Sequence, residues 1–399
     1  MAALRDGVIR RGKSWSYVIR VTDPSGISKP RWVGGFPTEA AAKEARDNAR
    51  IAARRGHYVD KSRITVGQYL IQWLDSHALE VKPSTHSGYE YLLTNYVMPR
   101  LGKTRLQTLR PTALSDLYRT LLAEGGQGGR PLSVRTVQLV HAALRKSLGD
   151  AVRTDQLLPS NPAERAKRPR SVRDHVAEGV WSAAQLRTFL DLASSHRLFA
   201  FYRLAAYTGA RRGEVLHLRW ADVTLDGRPR IRIRGTVGLV AGGTRYEGTT
   251  KSGHERVVGI DPATAQVLGE HLSRQEVDRA TAAGSWVEGD WMFRKEIGSP
   301  VHPSTVTALM RSMLAGYNER HPEARLPVVR LHDLRHTHAT LLLRAGVPCT
   351  WWRRGSDMRI RRSRSGSTRM SSATRRQRSR MSLPRPSRAM RKGRQRRDC

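Results

Sequence analysis

The apolar residues of this chain change their period along its length, and that change dictates more than one folding unit. Between Ser14 and Thr22 they alternate, with Trp15, Tyr17, Ile19 and Val21 on one face of an extended segment. That is the period of a half-buried strand. From Thr65 onward the spacing becomes helical: Val66, Tyr69, Leu70, Trp73 and Leu74 form one stripe, and Thr65 is the N-cap candidate. Beyond Val176 both periods occur. A chain of 399 residues has room for two or three such units.

The first unit reads as a small sheet plus a helix. Asp23-Pro24-Ser25-Gly26 has turn chemistry, Lys29 to Gly35 returns as a second strand, and Thr38 precedes an Ala-rich helix ending at Gly56. The second unit, to about residue 155, is all-helical. Its second helix opens at Lys82 and closes at Pro99 and Gly102, its third covers Pro111 to Glu124, and its fourth runs from Ser133 to Val152 after a Gly-rich break at 125–129. Its aromatic residues read as core, so none is assigned to function. Pro159, Pro162 and Pro169, with basic residues from Arg165 to Arg173, mark a linker.

The third unit opens with Ser182 and Gln185 in a capping box, and a helix through Tyr202 to Ala206 stops at Gly209. A hairpin follows, with Ile231 and Ile233 alternating with Arg230, Arg232 and Arg234, and with a return strand near Glu255 to Ile260. Asp261-Pro262 caps the next helix, and Trp291 to Leu314 reads as strand, turn and helix.

Lys and Arg total 71 against 34 Asp and Glu, a net charge of +37. Such a balance predicts attraction to polyanions such as nucleic acid. From Cys349 to Cys399 there are 18 basic residues against Asp357 and Asp398, so +16 lies in the tail and +21 in the body. Both cysteines, Cys349 and Cys399, are in that tail, so the body has neither a disulfide framework nor a thiolate metal site. No apolar run approaches the roughly 18 to 20 residues of a membrane span, and the N-terminus lacks the apolar core of a signal peptide. A soluble cytoplasmic protein is the expectation.

Three boxes carry chemistry. Thr208 to Glu214 read TGARRGE, Lys251 sits in TTKSGHERVV, and His332 and Arg335 begin the run HDLRHTHATLLL. Moving a phosphodiester between oxygens requires charge relief on the non-bridging oxygens, a proton for the leaving oxygen and an in-line nucleophile. Arg211 and Arg335 suit the first task, because a guanidinium fork binds phosphate in a bidentate fashion and stays ionised. Arg212 competes with Arg211 and is left to the backbone or surface, and Glu214 is read as a brace. Lys251, placed on a hairpin tip, suits the second task. His336 and His338 are read as structural.

These boxes, in this order and with these units around them, resemble the tyrosine recombinase (phage integrase) family over roughly residues 5 to 348. The resemblance implies a multidomain, mainly α fold with small β elements. Residues 1–60 would be an arm-type DNA-binding domain with a three-stranded sheet, and Arg10, Arg11, Lys13 and Arg20 would face DNA unless they are an ordinary solvated face. Residues 64–155 would be a helical core-binding domain, 156–175 a linker that lets two domains clamp duplex DNA, 176–348 a mixed α/β catalytic domain, and 349–399 a basic low-complexity tail. The implied function is site-specific DNA integration and recombination through a 3′-phosphotyrosine intermediate. Arg211 and Arg335 would hold the phosphate, Lys251 would act as general acid, and His332 would accept the nucleophile's proton or hydrogen-bond the phosphate. The family needs neither metal nor cofactor. Its partners are attachment-site duplex DNA, further copies of the chain in a tetramer on DNA, and in some members an accessory directionality factor.

The nucleophile is missing. The family's tyrosine follows the H-x-x-R box, and the last tyrosine of this chain is Tyr317, before the box. After Pro348 the composition turns abruptly to Arg and Ser with almost no apolar periodicity. A shifted reading frame accounts for this. With free synonymous choice, the codons of Gly355 to Ser372 read one base earlier can encode RLGHADPAITLRVYAHVI. The histidine codon then straddles Asp357 and Met358, and the tyrosine codon straddles Ser367 and Thr368, at the family's spacing after Arg335. One base lost near Pro348 suffices. As written, the chain is expected to bind DNA without cutting it. Two rivals stand beside this reading: a non-catalytic DNA-binding protein with an authentic basic tail, and a basic RNA-binding or structural protein.

Overall fold

Alternation at the N-terminus does produce a sheet. The computed structural model describes residues 7–22, 27–54, 58–170, 180–251 and 253–347. Strands β1 (Val8–Arg11), β2 (Ser14–Thr22) and β3 (Ser28–Phe36) pair antiparallel in that order. Tyr17 and Ile19 are buried against Val8 and against Ala42 and Ala49 of helix α1 (Glu39–Arg54). Arg10, Arg11, Lys13 and Arg20 are exposed, and on the face opposite Tyr17 the Arg11 guanidinium lies 4.4 Å from the ring centroid of Trp32, a cation–π distance. The turn expected at 23–26 and the helix end at Gly56 lie outside the described residues.

The helical unit packs α2 (Val66–His77), α3 (Pro83–Leu92), α4 (Met98–Leu101), α5 (Pro111–Glu124), α6 (Val134–Arg153) and the short α7 (Pro162–Arg165) around one core. Thr65 caps α2 as expected, accepting from the Gln68 N–H while the Gln68 side chain accepts from the Thr65 N–H. Every member of the predicted stripe, from Val66 to Leu74, is buried. Tyr69, Trp73, Tyr96 and Tyr118 are core while Tyr91 is exposed; Tyr69 donates to the Ser147 carbonyl and the Asp155 carboxylate, and Trp73 donates to Asp150. Pro99 does not close the second helix. A single π-helical turn at Leu93–Val97 precedes it, and Pro99 sits at the start of α4. A proline lacks the N–H that the previous turn would use, and the wider turn lets the axis continue. Leu158, Ala163 and Ala166, in the segment read as linker, are packed into this same core.

The third unit runs α8 (Ala183–Ala193), α9 (Phe199–Thr208), α10 (Arg212–His217), β4 (Val223–Thr224), β5 (Arg230–Ile233), β6 (Gly235–Leu239), β7 (Arg245–Thr249), β8 (Arg256–Gly259), α11 (Pro262–Ala282), α12 (Pro303–Arg320) and α13 (Asp333–Arg344). Its expected start at Val176 and the whole tail from 348 lie outside the described residues. The Ser182–Gln185 capping box and the Asp261 cap are present. β5 pairs with β8 as expected, in the order β4-β5-β8, but a second hairpin, β6–β7, is inserted between them. In place of the strand expected from Trp291 there are two isolated bridges, Arg219 with Trp291 and Arg294 with Pro300. The core gathers Phe189, Phe201, Tyr202, Ile231, Ile233, Leu268, Phe293 and Met310.

The capping box at α2 gives a clean test of this local reading. Thr65→Ala is expected to lower unfolding free energy by about 1 kcal/mol, measured by urea denaturation, with no change in the slope of the transition.

Candidate active site

The site is built on a glycine. α9 ends where Gly209 takes left-handed backbone angles, with φ of 60°. A Cβ there would also meet the His338 ring at 2.7 Å, so both conformation and space demand glycine. The turn delivers Arg211 as the N-cap of α10, in extended geometry. It also turns the Gly209 carbonyl toward α13, where the buried Arg335 donates to it through Nη1. His338, one turn further along α13, bonds the Ala206 carbonyl through Nδ1 at 3.0 Å. The end of α9 and the start of α13 are thus tied at two points.

Glu214 holds Arg211 in place. It is 1 % exposed, and its Oε2 accepts the Arg211 backbone N–H at 2.9 Å while its Oε1 accepts Arg211 Nη1 at 2.8 Å. From the other side Arg256 of β8 donates Nη2 to Oε2 at 2.6 Å and Nη1 to Oε1 at 3.3 Å. Burial pushes the carboxyl up, but the bonds and charge of Arg256, then those of Arg211, outweigh it and hold Glu214 below the usual carboxylate range. Glu214 is therefore a brace. Arg212 turns to Thr307 of α12, 3.0 Å from its Oγ1.

His332 precedes α13, and its side chain responds to both arginines. Its pKa is depressed by burial first, then by the charges of His336 and Arg335, with Arg211 adding to them and Asp333 opposing. The rings of His332 and His336 meet edge to face at 5.3 Å. Asp333 fixes this turn by accepting the Arg330 N–H at 2.8 Å and the Arg330 guanidinium at 3.1 and 3.2 Å.

The Gly209 turn thus presents Arg211 and accepts Arg335, while His332, three residues before Arg335, lies within the field of both arginines. Lys251 does not join them by any direct contact. It is exposed, on the turn between β7 and β8. Those strands belong to different sheets, so the lysine is not at a hairpin tip as expected but on the crossover between two sheets. The link to the other three runs through β8: Arg256 reaches Glu214, and Glu214 reaches Arg211. β7 is anchored through Glu247, which accepts from Arg219 at 2.6 Å, Arg245 at 2.7 Å and Trp291 at 3.2 Å. Burial raises the Glu247 carboxyl, yet these bonds bring it down to about 2. Arg256 and Arg330 were missed as supports. Arg256 closes the KSGHER segment, but nothing in the sequence marks Glu214 as its partner. Among the described residues no group of three or more His, Cys, Asp or Glu is placed to hold a metal ion.

Planar guanidinium forks are the side chains suited to a tetrahedral oxyanion. Two outcomes are expected from this geometry. Glu214→Ala leaves two arginines facing a vacated pocket and lowers unfolding free energy by about 3 kcal/mol in denaturant. The wild-type carboxylate's contribution is fully present above the ordinary carboxyl pKa and is lost as pH falls through the folded value, because the unfolded chain binds the proton more tightly. His332 should titrate below its ordinary value in a proton NMR series, and Arg211→Gln should move its midpoint upward. An unchanged midpoint would mean that the two side chains do not share a field.

Residues 181–351 match the phage integrase family model, and residues 65–122 match the N-terminal SAM-like domain of phage integrases, together more than half of the chain. The chain is 25 % identical over 368 residues to a tyrosine recombinase XerC-like protein of Caldanaerobacter subterraneus subsp. tengcongensis, covering 87 % of this chain and 90 % of that protein. It is 26 % identical to an integrase of Streptomyces ambofaciens, over 82 % of this chain and 81 % of that one. The fold is similar to the Tn1549 transposon integrase in complex with transposon right end DNA, with a TM-score of 0.62 at 18 % identity, over 74 % of this chain and 92 % of the other. It is also similar to a lambda integrase dimer bound to a COC′ core site, with a TM-score of 0.53 at 16 % identity, over 97 % and 99 % of the two chains. The chain belongs to the phage integrase family of tyrosine recombinases.

Proposed function

We propose that this chain recognises duplex DNA at an attachment site and holds one phosphodiester in the geometry of site-specific recombination, without the nucleophile that would break it. The observation that carries the reading is the Gly209 turn, which presents Arg211 and accepts Arg335, with His332 in the field of both arginines. The two guanidiniums take the non-bridging oxygens, whose charge rises as the phosphorus becomes five-coordinate. His332, whose pKa is depressed by burial and then by its cationic neighbours, is available to accept a proton or to hydrogen-bond the same group. With a nucleophile supplied, Lys251 would protonate the leaving 5′ oxygen from its turn between β7 and β8, a position that depends on how that turn is held.

The cut itself needs a hydroxyl in line with the leaving oxygen. At the family's spacing after Arg335 this chain has Ser367 and Thr368 in a run rich in arginine and serine, and no tyrosine follows Tyr317. A frame shifted by one base near Pro348 accounts for that composition and for the absent tyrosine together. The exposed Arg10, Arg11, Lys13 and Arg20 of the N-terminal unit read as the arm-DNA contact, 64–155 as the core-binding half of the clamp, and 176–348 as the catalytic half. Copies of the chain would assemble as a tetramer on DNA, with an accessory directionality factor setting the direction. No helix among the described residues is long and apolar enough to cross a membrane, which fits a protein that works on DNA in the cytoplasm.

A non-catalytic DNA-binding role is the same reading with an authentic tail, and the absent tyrosine favours it over an active enzyme. Incubated with its attachment-site duplex, the chain should shift the DNA, with affinity falling steeply as salt rises, and should leave no covalent adduct after denaturation. Arg335→Ala should weaken the complex roughly 10-fold or more, the scale of a charge-assisted hydrogen-bonded contact. A covalent adduct would overturn the proposed lack of a nucleophile, and equal affinity for unrelated RNA would overturn the assignment to duplex DNA. An independent read of the nucleotide sequence across codons 346 to 372 tests the frame: an extra base restores the tyrosine segment, and its absence makes the tail authentic.

A further inference from the structure

The turn that carries Lys251 is held from outside its own domain. Lys82, the N-cap of α3 in the helical unit, donates its ammonium to the Thr249 carbonyl at 3.0 Å, to Thr249 Oγ1 at 3.1 Å and to the Thr250 carbonyl at 2.6 Å. These are the two residues that immediately precede Lys251. The Thr250 carbonyl also accepts the Gly253 N–H at 3.1 Å, so it closes the turn whose second residue is Lys251. Thr250 is fully buried, and its hydroxyl donates to the His254 carbonyl at 2.9 Å. One ammonium therefore organises both the last residue of β7 and the hinge carbonyl of the turn.

The contact is not isolated. Ser87, on the same helix, accepts the Ala241 N–H at 2.8 Å through its hydroxyl, at the far end of the β6–β7 hairpin. Helix α3 thus touches the hairpin at its tip through Ser87 and at its base through Lys82, and a shallow cleft lined by Pro83, His86, Val240 and Ala241 lies between. The three acceptors of Lys82 are neutral oxygens, and Lys82 is an exposed residue. The bond is thus charge-assisted, and among the described residues no carboxylate pairs with Lys82 to fix it irrespective of the turn.

We propose that Lys82 is a positioning residue for Lys251, so that docking of the helical unit against the β6–β7 hairpin is what orders the general-acid lysine. Chemistry and clamp closure are then coupled: the lysine turn is in its working conformation only when the two halves have met. This rests on the role proposed above for Lys251, but the ordering of the turn is measurable without any reaction.

The test compares the full chain with Lys82→Met, which keeps the length of the side chain and removes the cation, and with Lys82→Arg, which keeps the cation. Backbone hydrogen exchange without DNA is read at Gly253 and, as a reference in the neighbouring sheet, at Val258. Lys82→Met should raise exchange at Gly253 about tenfold, the scale of one charge-assisted hydrogen bond, with Val258 unchanged, and Lys82→Arg should restore the wild-type rate. Unchanged exchange at Gly253 in Lys82→Met, or no rescue by arginine, overturns the proposal. A second reading uses duplex DNA and acylation of Lys251 followed by mass spectrometry. The duplex should protect Lys251 in the wild type and in Lys82→Arg, and protect it less in Lys82→Met. If the duplex fails to protect Lys251 even in the wild type, the role given to Lys251 fails, while the exchange result still decides whether Lys82 orders the turn.

Discussion

The rest of the site depends on one buried carboxylate shared by two arginines. Glu214 lies at the start of α10 and accepts from Arg211 on its own helix and from Arg256 on β8. Without that carboxylate, Arg211 would lose the acceptor of its backbone N–H and of its Nη1, and Arg256 of β8 would lose these bonds to α10. Buried pairs of this kind add little net stability compared with an apolar replacement, but removing one partner is costly. Their value here is geometric. The carboxylate sets where a guanidinium stands relative to Gly209, and Gly209 sets where Arg335 stands.

From that turn the logic of the molecule runs outward. Arg335 and His338 fasten α13 to the end of α9, so the H-x-x-R helix and the TGARRGE turn behave as one piece. The lysine is the exception. It belongs to an exposed turn whose order comes from neighbours: Glu247 anchors the hairpin to the catalytic half, and Lys82 grips it from the helical half. The strongly basic balance of the whole chain acts at longer range, attracting a polyanion before any specific contact forms.

Much of this was legible in the sequence because it is local. Thr65 with Gln68, Ser182 with Gln185, and Asp261 before Pro262 announce helix starts through side chains that reach three residues on. Gly209 after an apolar helix announces its end. Arg211 and Arg335 were identifiable as candidates from their boxes, but that Arg335 bonds the Gly209 carbonyl, two residues before Arg211, is a tertiary fact. The β6–β7 hairpin was missed because GTVGL and RYEGT alternate weakly and carry glycines that depress strand propensity. The Ala241-Gly242-Gly243 turn was the available signal, with both glycines at positive φ. The same omission misplaced Lys251 at a hairpin tip. Pro99 misled because a proline normally ends a helix, and the π-turn that absorbs it has no local signature. The pairing of Arg256 with Glu214 spans the whole hairpin, so no local pattern could disclose it.

The most direct measurement is the titration of His332 by NMR in the free chain and in the complex with its attachment-site duplex. A phosphate seated between Arg211 and Arg335 places negative charge beside an imidazole that those arginines otherwise depress, so the midpoint should rise on binding. A complex that forms with the His332 midpoint unmoved would mean that the DNA is held elsewhere, and that the three residues do not make a phosphate site.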